Sequence, residues 1–404
     1  MNLLVNAVGI KVGGGVTDLR ALVSELRKTD RRHRFLFFAA PTQAELGGDL
    51  PEHIRWQSVG AGEKGWLRRL WWDQVTLRRW LKHERADVLF SFSDFGMLHC
   101  PVPQLLFVRN SLFFSELFQK HILPRQGWRH RLLYRLRRWL VCRSVAAADA
   151  VMAPSASMLE MVRRAVWLPD GKATVNYYGR PIGEPAEVPA RDYGGPIRLL
   201  FPTYYYDYKN FTTALEALRL LRQRHGGRFC LVTTADPRAP LSRKASSTWK
   251  QDLVRLEELD SEGAVEVLGL VPHNKLLALY RECHVMCYPT LTESFGHPLV
   301  EAMAAGLPVA ASDIAINREV ARDAVLYFDP LNPAQLTRQV ETIVENSDLR
   351  ATLQERGRRY ARGFSWTRHR QHLLRCLEEL AGLDKRCRPR GRTPGLKSLP
   401  STHK

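Results

Sequence analysis

Tyr288-Pro289-Thr290-Leu291-Thr292-Glu293-Ser294-Phe295-Gly296-His297-Pro298-Leu299-Val300-Glu301-Ala302-Met303-Ala304-Ala305-Gly306-Leu307-Pro308-Val309 reads as a buried strand closing at Tyr288, a polar loop, a short helix and a new strand from Val309. Pro298 suits a first helical turn, where a missing N–H costs nothing, and Gly306 suits a helix C-terminus. Strand, helix, strand is the crossover unit of a parallel sheet. The loop carrying Glu293 is therefore expected at the carboxyl end of a strand and the positive end of a helix. Open α/β sheets bind ligands there, and unpaired helix N–H groups there suit a phosphate. Glu293 and Glu301 frame that place. Ionised carboxylates only accept hydrogen bonds, so they suit a hydroxyl-rich ligand beside the phosphate, although a Glu near a helix start is also favoured by the helix dipole alone.

Working outward, alternation of strand and helix signals fills both halves. Residues 3–10 form an apolar run, followed by Gly13-Gly14-Gly15 and a helical pattern over 16–28 with Leu19, Leu22, Val23 and Leu26 on one face. Further buried strands are expected at 34–39, 53–59, 87–92, 104–108 and 150–153. Residues 183–196 are rich in Gly and Pro and read as an interdomain linker. Alternation resumes with strand 197–201, helix 210–224, strand 228–233, strand 264–268 and helix 275–283. The predicted class is α/β, two doubly wound parallel sheets with a ligand cleft between them.

Length and composition agree with this. A chain of 404 residues is too long for one ordinary core and suits two domains of about 200 residues. Lys and Arg total 60 against 41 acidic residues, a net charge of +19, which favours phosphate-bearing partners without choosing among them. Nucleic acid is disfavoured because no zinc-finger or helix-turn-helix pattern organises the basic residues. The seven cysteines are scattered; Cys283 and Cys287 lack a second matching pair and read as core thiols of a reduced, cytoplasmic protein. No signal peptide and no uncharged apolar stretch of spanning length is visible. Two basic segments, 66–82 and 128–140, interleave Trp with Arg. Both read as amphipathic helices, either ordinary domain helices with a solvated basic face or contacts with an anionic membrane surface.

The opening string closely resembles the signature of the retaining glycosyltransferases of family 4, the glycosyl transferases group 1 of GT-B fold. Two Glu separated by seven residues, Phe-Gly after the first, Ala after the second and a Gly-Xaa-Pro-Val turn are matched by Glu293, Phe295, Gly296, Glu301, Ala302, Gly306, Pro308 and Val309. The resemblance implies two Rossmann-like domains facing across a cleft: an N-terminal, acceptor-binding domain over 1–183, a nucleotide-sugar-binding domain over 197–364, and a crossover helix over 365–382 returning to the first. Residues 384–404 are expected to be a basic disordered tail. It implies that Glu293 contacts the donor sugar, that Glu301 holds the ribose, that His297 stands in the donor loop, and that Gly14 and Gly15 face the donor diphosphate. Lys209 matches the family lysine that holds the diphosphate.

Two departures stand out. Tyr204 occupies the place of the family's diphosphate arginine, and a phenol supplies no charge. Arg109 and Asn110 stand where the family keeps a His near the reacting carbon. Arg109 would stabilise departing phosphate charge and Asn110 would bind a sugar hydroxyl. The implied activity is transfer of a sugar from a nucleotide-diphosphate donor to a glycan or lipid-linked acceptor in cell-envelope polysaccharide or glycolipid synthesis. It needs no further cofactor and no metal, and would run in the cytoplasm or on the inner face of the membrane. The alternatives are a non-catalytic sugar-nucleotide binder, or an epimerase or phosphorylase on the same architecture.

Overall fold

Strands that are apolar along their whole length need cover on both faces, and two parallel sheets flanked by helices provide it. The computed structural model describes residues 1–382 except 12, 30, 64, 181–189, 241 and 243–245. The expected tail, with Cys387, and residues 183–189 of the expected linker lie outside the described residues. Two compact units are formed. The first takes Met1–Phe114, Leu133–Gly179 and the terminal helix from Trp366; the second takes Ser115–Leu132 and Arg180–Ser365.

The first unit holds β1 (Asn2–Ala7), β2 (Arg34–Ala39), β3 (Ile54–Ser58), β4 (Val88–Ser91), β5 (Gln104–Phe107), β6 (Ala150–Ala153) and β7 (Ala173–Val175). They are all parallel, in the order β3-β2-β1-β4-β5-β6-β7. Its helices are α1 (Gly14–Leu26), α2 (Trp66–Trp71), α3 (Leu77–His83), part of α4 (Trp128–Ala147) and α5 (Ala156–Ala165). β1 is shorter than its apolar run suggests, because the Ile10 N–H turns back to the Ala7 carbonyl at 3.0 Å.

The first Trp–Arg segment departs from the expected continuous amphipathic helix. Between α2 and α3 a π-helical turn over Trp72–Thr76 inserts an extra residue. That turn sends Trp72 into the core against Phe38, ring centroids 5.3 Å apart, and buries Asp73. Asp73 accepts from Arg69 Nε at 2.6 Å and from Asn6 Nδ2 at 2.7 Å. Arg69 is therefore an interior ion-pair partner rather than part of a solvated basic face. Only Leu67 and Trp71 of α2 stay exposed among its large apolar side chains.

The second unit holds β8 (Ile197–Phe201), β9 (Phe229–Thr233), β10 (Val265–Val267), β11 (Val285–Tyr288), β12 (Val309–Ser312) and β13 (Leu326–Phe328), in the parallel order β10-β9-β8-β11-β12-β13. Among the described residues seven α-helices accompany it: α6 (Phe211–His225), α7 (Trp249–Ser261), α8 (His273–Glu282), α9 (His297–Ala304), α10 (Ala315–Ala321), α11 (Pro333–Glu345) and α12 (Ser347–Ala361). β8 and β11 are neighbours, with Val285 opposite Leu199 and Met286 opposite Leu200. Arg191, in the expected linker, is bound rather than loose. It donates to the carbonyls of Cys283, Gly306 and Tyr280 at 2.7, 3.0 and 3.0 Å, closing the ends of α8 and the turn after α9.

The terminal helix α13 (Trp366–Leu380) returns to the first unit, where His369 is buried. His369 stacks on Tyr178 and meets Trp366 and Phe107 edge-on. A carbonyl only accepts, so the 3.1 Å contact with the Tyr177 oxygen puts the proton on Nδ1. Burial lowers the His369 pKa from about 6.5 to about 4. Its folded value lies below its unfolded value, so the unfolded chain takes up the proton first as pH falls. Stability contributed by neutral His369 is expected to decline from about pH 6.5 down to about pH 4. Denaturant midpoints of His369→Phe across that window should fall less steeply than those of the parent; parallel curves would refute it.

Candidate functional site

In a doubly wound sheet the loops leaving the two strands either side of the order reversal go to opposite faces and open a crevice at their carboxyl ends. In the second unit those strands are β8 and β11. The loop after β8 ends in a short turn, Asp207–Lys209, and Asn210 takes the left-handed conformation, φ 59° and ψ 50°, before α6 begins. Asn tolerates that region better than most residues. Its Nδ2 donates to the carbonyls of Pro289 at 3.0 Å and Pro330 at 2.6 Å, tying together the loops after β8, β11 and β13. Asp207 anchors the same turn, accepting from Ser246 Oγ and from the Gln126 side chain.

This scaffold brings Lys209 and Glu293 into contact. Lys209 Nζ lies 2.5 Å from Glu293 Oε1, both side chains about nine-tenths buried at 12% exposure. The same oxygen accepts from Tyr288 Oη at 2.8 Å and Thr290 Oγ1 at 3.2 Å. All three donors converge on Oε1, so Oε2 has no partner among the described residues. Burial drives the Tyr288 hydroxyl well above its usual pKa, with the adjacent Glu293 adding to it, so Tyr288 stays a donor. The Nζ also stands 5.0 Å from the Tyr208 ring centroid.

Gly296 precedes α9 with φ 86° and ψ 54°, a region where a side chain would be strained. It supplies no side-chain cap, and His297 and Pro298 open the helix. Pro298 brings no N–H, and those of Leu299 and Val300 donate to the Gly296 carbonyl at 3.0 and 3.2 Å, so it is the helix dipole, rather than a row of free amides, that makes this end positive. Phe295, only 1% exposed, is wedged edge-on between His297 and Phe364, so it shapes the loop from beneath. Glu301 is also buried, and its Oε2 accepts from Tyr280 Oη at 2.8 Å. Tyr204 is 43% exposed.

A second constellation occupies the first unit. Gly13, with φ 71°, turns the chain into α1, which starts at Gly14. A Cβ on Gly15 would lie 3.3 Å from both Arg109 Nη2 and Ile10 Cγ2, so glycine admits the arginine. Arg109 pairs with the buried Asp18 carboxylate and lies over the Phe92 ring at 4.9 Å. Its backbone N–H and that of Asn110 both donate to Asp94 Oδ1 at 2.8 Å. The Asn110 side chain accepts from Leu112 N at 3.1 Å and so caps the next turn. Arg109 thus carries a neutralising partner that a free phosphate-binding cation lacks, while its Nη1 is buried without a partner among the described residues.

Sequence reading missed Asp18, Asp94, Asp207, Asn210, Tyr280 and Tyr288. Only Asp18 left a local signal: it sits on the apolar face of α1, four residues before Leu22. Among the described residues no group of three or more His, Cys, Asp or Glu is placed to hold a metal ion.

Two sheets of reversed parallel order, each with its ligand-type loops at the strand ends, define the GT-B class. Comparison with known proteins agrees. Residues 189–360 match the family model described as glycosyl transferases group 1, and residues 12–184 match that described as glycosyltransferase family 4. The O-antigen chain mannosyltransferase B of Escherichia coli is 30% identical over 160 residues, 39% of this chain and 39% of that protein. The match therefore spans about two fifths of that relative's length. Among solved structures, WaaG, a glycosyltransferase involved in lipopolysaccharide biosynthesis, aligns with a TM-score of 0.66 at 16% identity, over 94% of this chain and all of that one. Anabaena Alr3699/HepE in complex with UDP and glucose gives the same TM-score, identity and coverage. The chain belongs to the GT-B glycosyltransferases.

Proposed function

We propose that this chain transfers a sugar, with retention at the anomeric carbon, from a nucleoside-diphosphate sugar to a glycan or lipid-linked acceptor of the cell envelope. The observation that carries the reading is the Lys209–Glu293 pair at the uncapped start of α9, formed by the loops after β8 and β11. Lys209 and the positive end of α9 bind the diphosphate, and Glu293 Oε2 accepts from a sugar hydroxyl. In the transfer, the C1–phosphate bond breaks as the acceptor oxygen bonds to C1 on the same face. The acceptor proton goes to the leaving diphosphate, so no protein nucleophile is required. Phe295, Gly296 and His297 set the donor loop of the second unit; in the first unit, Gly14 and Gly15 take phosphate, with Arg109 and Asn110 beside them. The UDP and glucose of the Anabaena structure and the mannosyltransferase activity of the Escherichia coli relative support this class of substrate.

A thermal-shift screen of nucleoside diphosphates, followed by NMR of the product's anomeric proton with the selected donor, tests it. Inversion of configuration would refute retention. Nucleotide binding with no transfer or donor hydrolysis would favour the non-catalytic binder, the reading that Tyr204 in place of an arginine supports.

Glu301 is proposed to hold the ribose. Glu301→Gln keeps an acceptor for Tyr280 while removing the charge offered to ribose hydroxyls. Calorimetry with the sugar-free nucleoside diphosphate should then show binding weaker by about tenfold, since a hydrogen bond to a charged group is worth roughly 1.5–3 kcal/mol and a neutral one less. Equal affinity for parent and variant would remove Glu301 from the site.

A further inference from the structure

The second Trp–Arg segment forms α4, a helix that buries Tyr134, Leu140, Val141, Ser144 and Val145. On the opposite side Trp128, Leu132, Leu136 and Trp139 are 64, 61, 40 and 56% exposed. Their spacing of four, four and three residues places them in one stripe, about 16 Å long at the helical rise. The stripe runs among exposed Arg129, Arg131, Arg135 and Arg143, with Arg129 stacked over Trp128 at 5.3 Å. α4 contains six arginines and no acidic residue. A side of a helix that shows both tryptophan and arginine to solvent is the reverse of an ordinary domain helix, whose outer face is polar.

We propose that this face of α4 lies on an anionic lipid surface. Trp128, Leu132, Leu136 and Trp139 enter the boundary between headgroups and acyl chains, and the flanking arginines bind lipid phosphates. Charge selects this occupant. A second copy of α4 would bring six more arginines against the first. The chain's own residues 383–404 carry seven Lys or Arg and one Asp, so they are repelled as well. A nucleic acid would use the arginines but gains little from an aliphatic stripe, whereas a lipid interface uses both. No described helix is long and apolar enough to cross a membrane, so the contact is peripheral. Leu67 and Trp71, one turn apart on α2, add a second exposed apolar pair. The proposal does not depend on the donor site, because lipid binding is read without nucleotide.

Flotation of the full chain with vesicles tests it. The parent should float with mixed phosphatidylcholine–phosphatidylglycerol vesicles and not with phosphatidylcholine alone, and added salt should weaken the binding. Trp128→Ser with Trp139→Ser should lower the partition coefficient by about tenfold or more, as loss of buried apolar area predicts. Arg131→Glu with Arg135→Glu should lower it comparably at low salt. Both pairs are exposed, so thermal melting should be unchanged; Leu132→Gln with Leu136→Gln is a second apolar variant with the same expected loss. Unchanged flotation of both apolar variants would overturn the proposal. So would a dimer in sedimentation velocity that these substitutions dissolve, or loss of single-stranded RNA binding with lipid binding intact.

Discussion

Glu293→Gln is expected to cut turnover by about a hundred- to a thousandfold, the scale seen when one preorganised polar group is removed from a reacting centre. Nucleoside-diphosphate affinity should change far less. The asymmetry follows from how the carboxylate is held. Oε1 accepts from Lys209, Tyr288 and Thr290, so the glutamine oxygen must take that place and its NH2 falls where Oε2 was. A donor then replaces the acceptor offered to the sugar, and Lys209 loses the charge that positions it. Volume and fold are kept. Initial rates with donor and acceptor, set beside calorimetry with the nucleotide alone, separate the two effects. A variant turning over at the parent rate would exclude Glu293 from the reaction.

Removing the lysine should show the opposite split. Lys209→Met keeps the stem against Tyr208 and the packing, but deletes a charge-assisted bond worth roughly 1.5–3 kcal/mol, so diphosphate binding should weaken by about ten- to a hundredfold. The nucleoside monophosphate should suffer less, because its distal phosphate is missing. Tyr204→Arg is the informative companion. Position 204 is exposed enough to take a longer side chain without repacking the core. An arginine there should tighten the diphosphate and partly offset the loss at 209. Equal losses for mono- and diphosphate would place Lys209 outside the phosphate site.

That Glu293 and Lys209 stand in loops between a strand and a helix start was legible in the sequence, because each lies in a short string whose local pattern is complete: strand, polar loop, helix start. The same holds for the strands that are buried along their length. The runs at 34–39, 150–153 and 197–201 are strands over those residues. β7 and β13 were not legible, being three residues long, at sheet edges and mostly half-buried, so no apolar run marks them. α7 was missed for another reason. It turns Asp252 inward, where Tyr205, Thr212 and Thr248 donate to the carboxylate, and an apolar-periodicity reading has no place for a buried Asp. The inward turn of Arg69 and Trp72 depends likewise on Asp73 meeting Asn6, 67 residues away along the chain. Partners distant in sequence leave no local pattern, which is also why Tyr280 stayed hidden behind Glu301.

The two hydrogen bonds of the Asn210 carboxamide have a mechanical consequence. One side chain uses both its N–H donors to reach the loops after β11 and β13 at once, beside the Lys209–Glu293 pair and the Leu291 N–H bond to the Tyr208 carbonyl at 2.8 Å, so the three loops share a point of alignment at Asn210. Displacement of any one of them is transmitted to the other two at that pin. The loop after β13 touches neither Lys209 nor Glu293 through any described hydrogen bond, yet a change of length or sequence there would re-aim both. Alignment of these loops therefore rests in part on one amide and on the backbone angle that lets it reach two carbonyls.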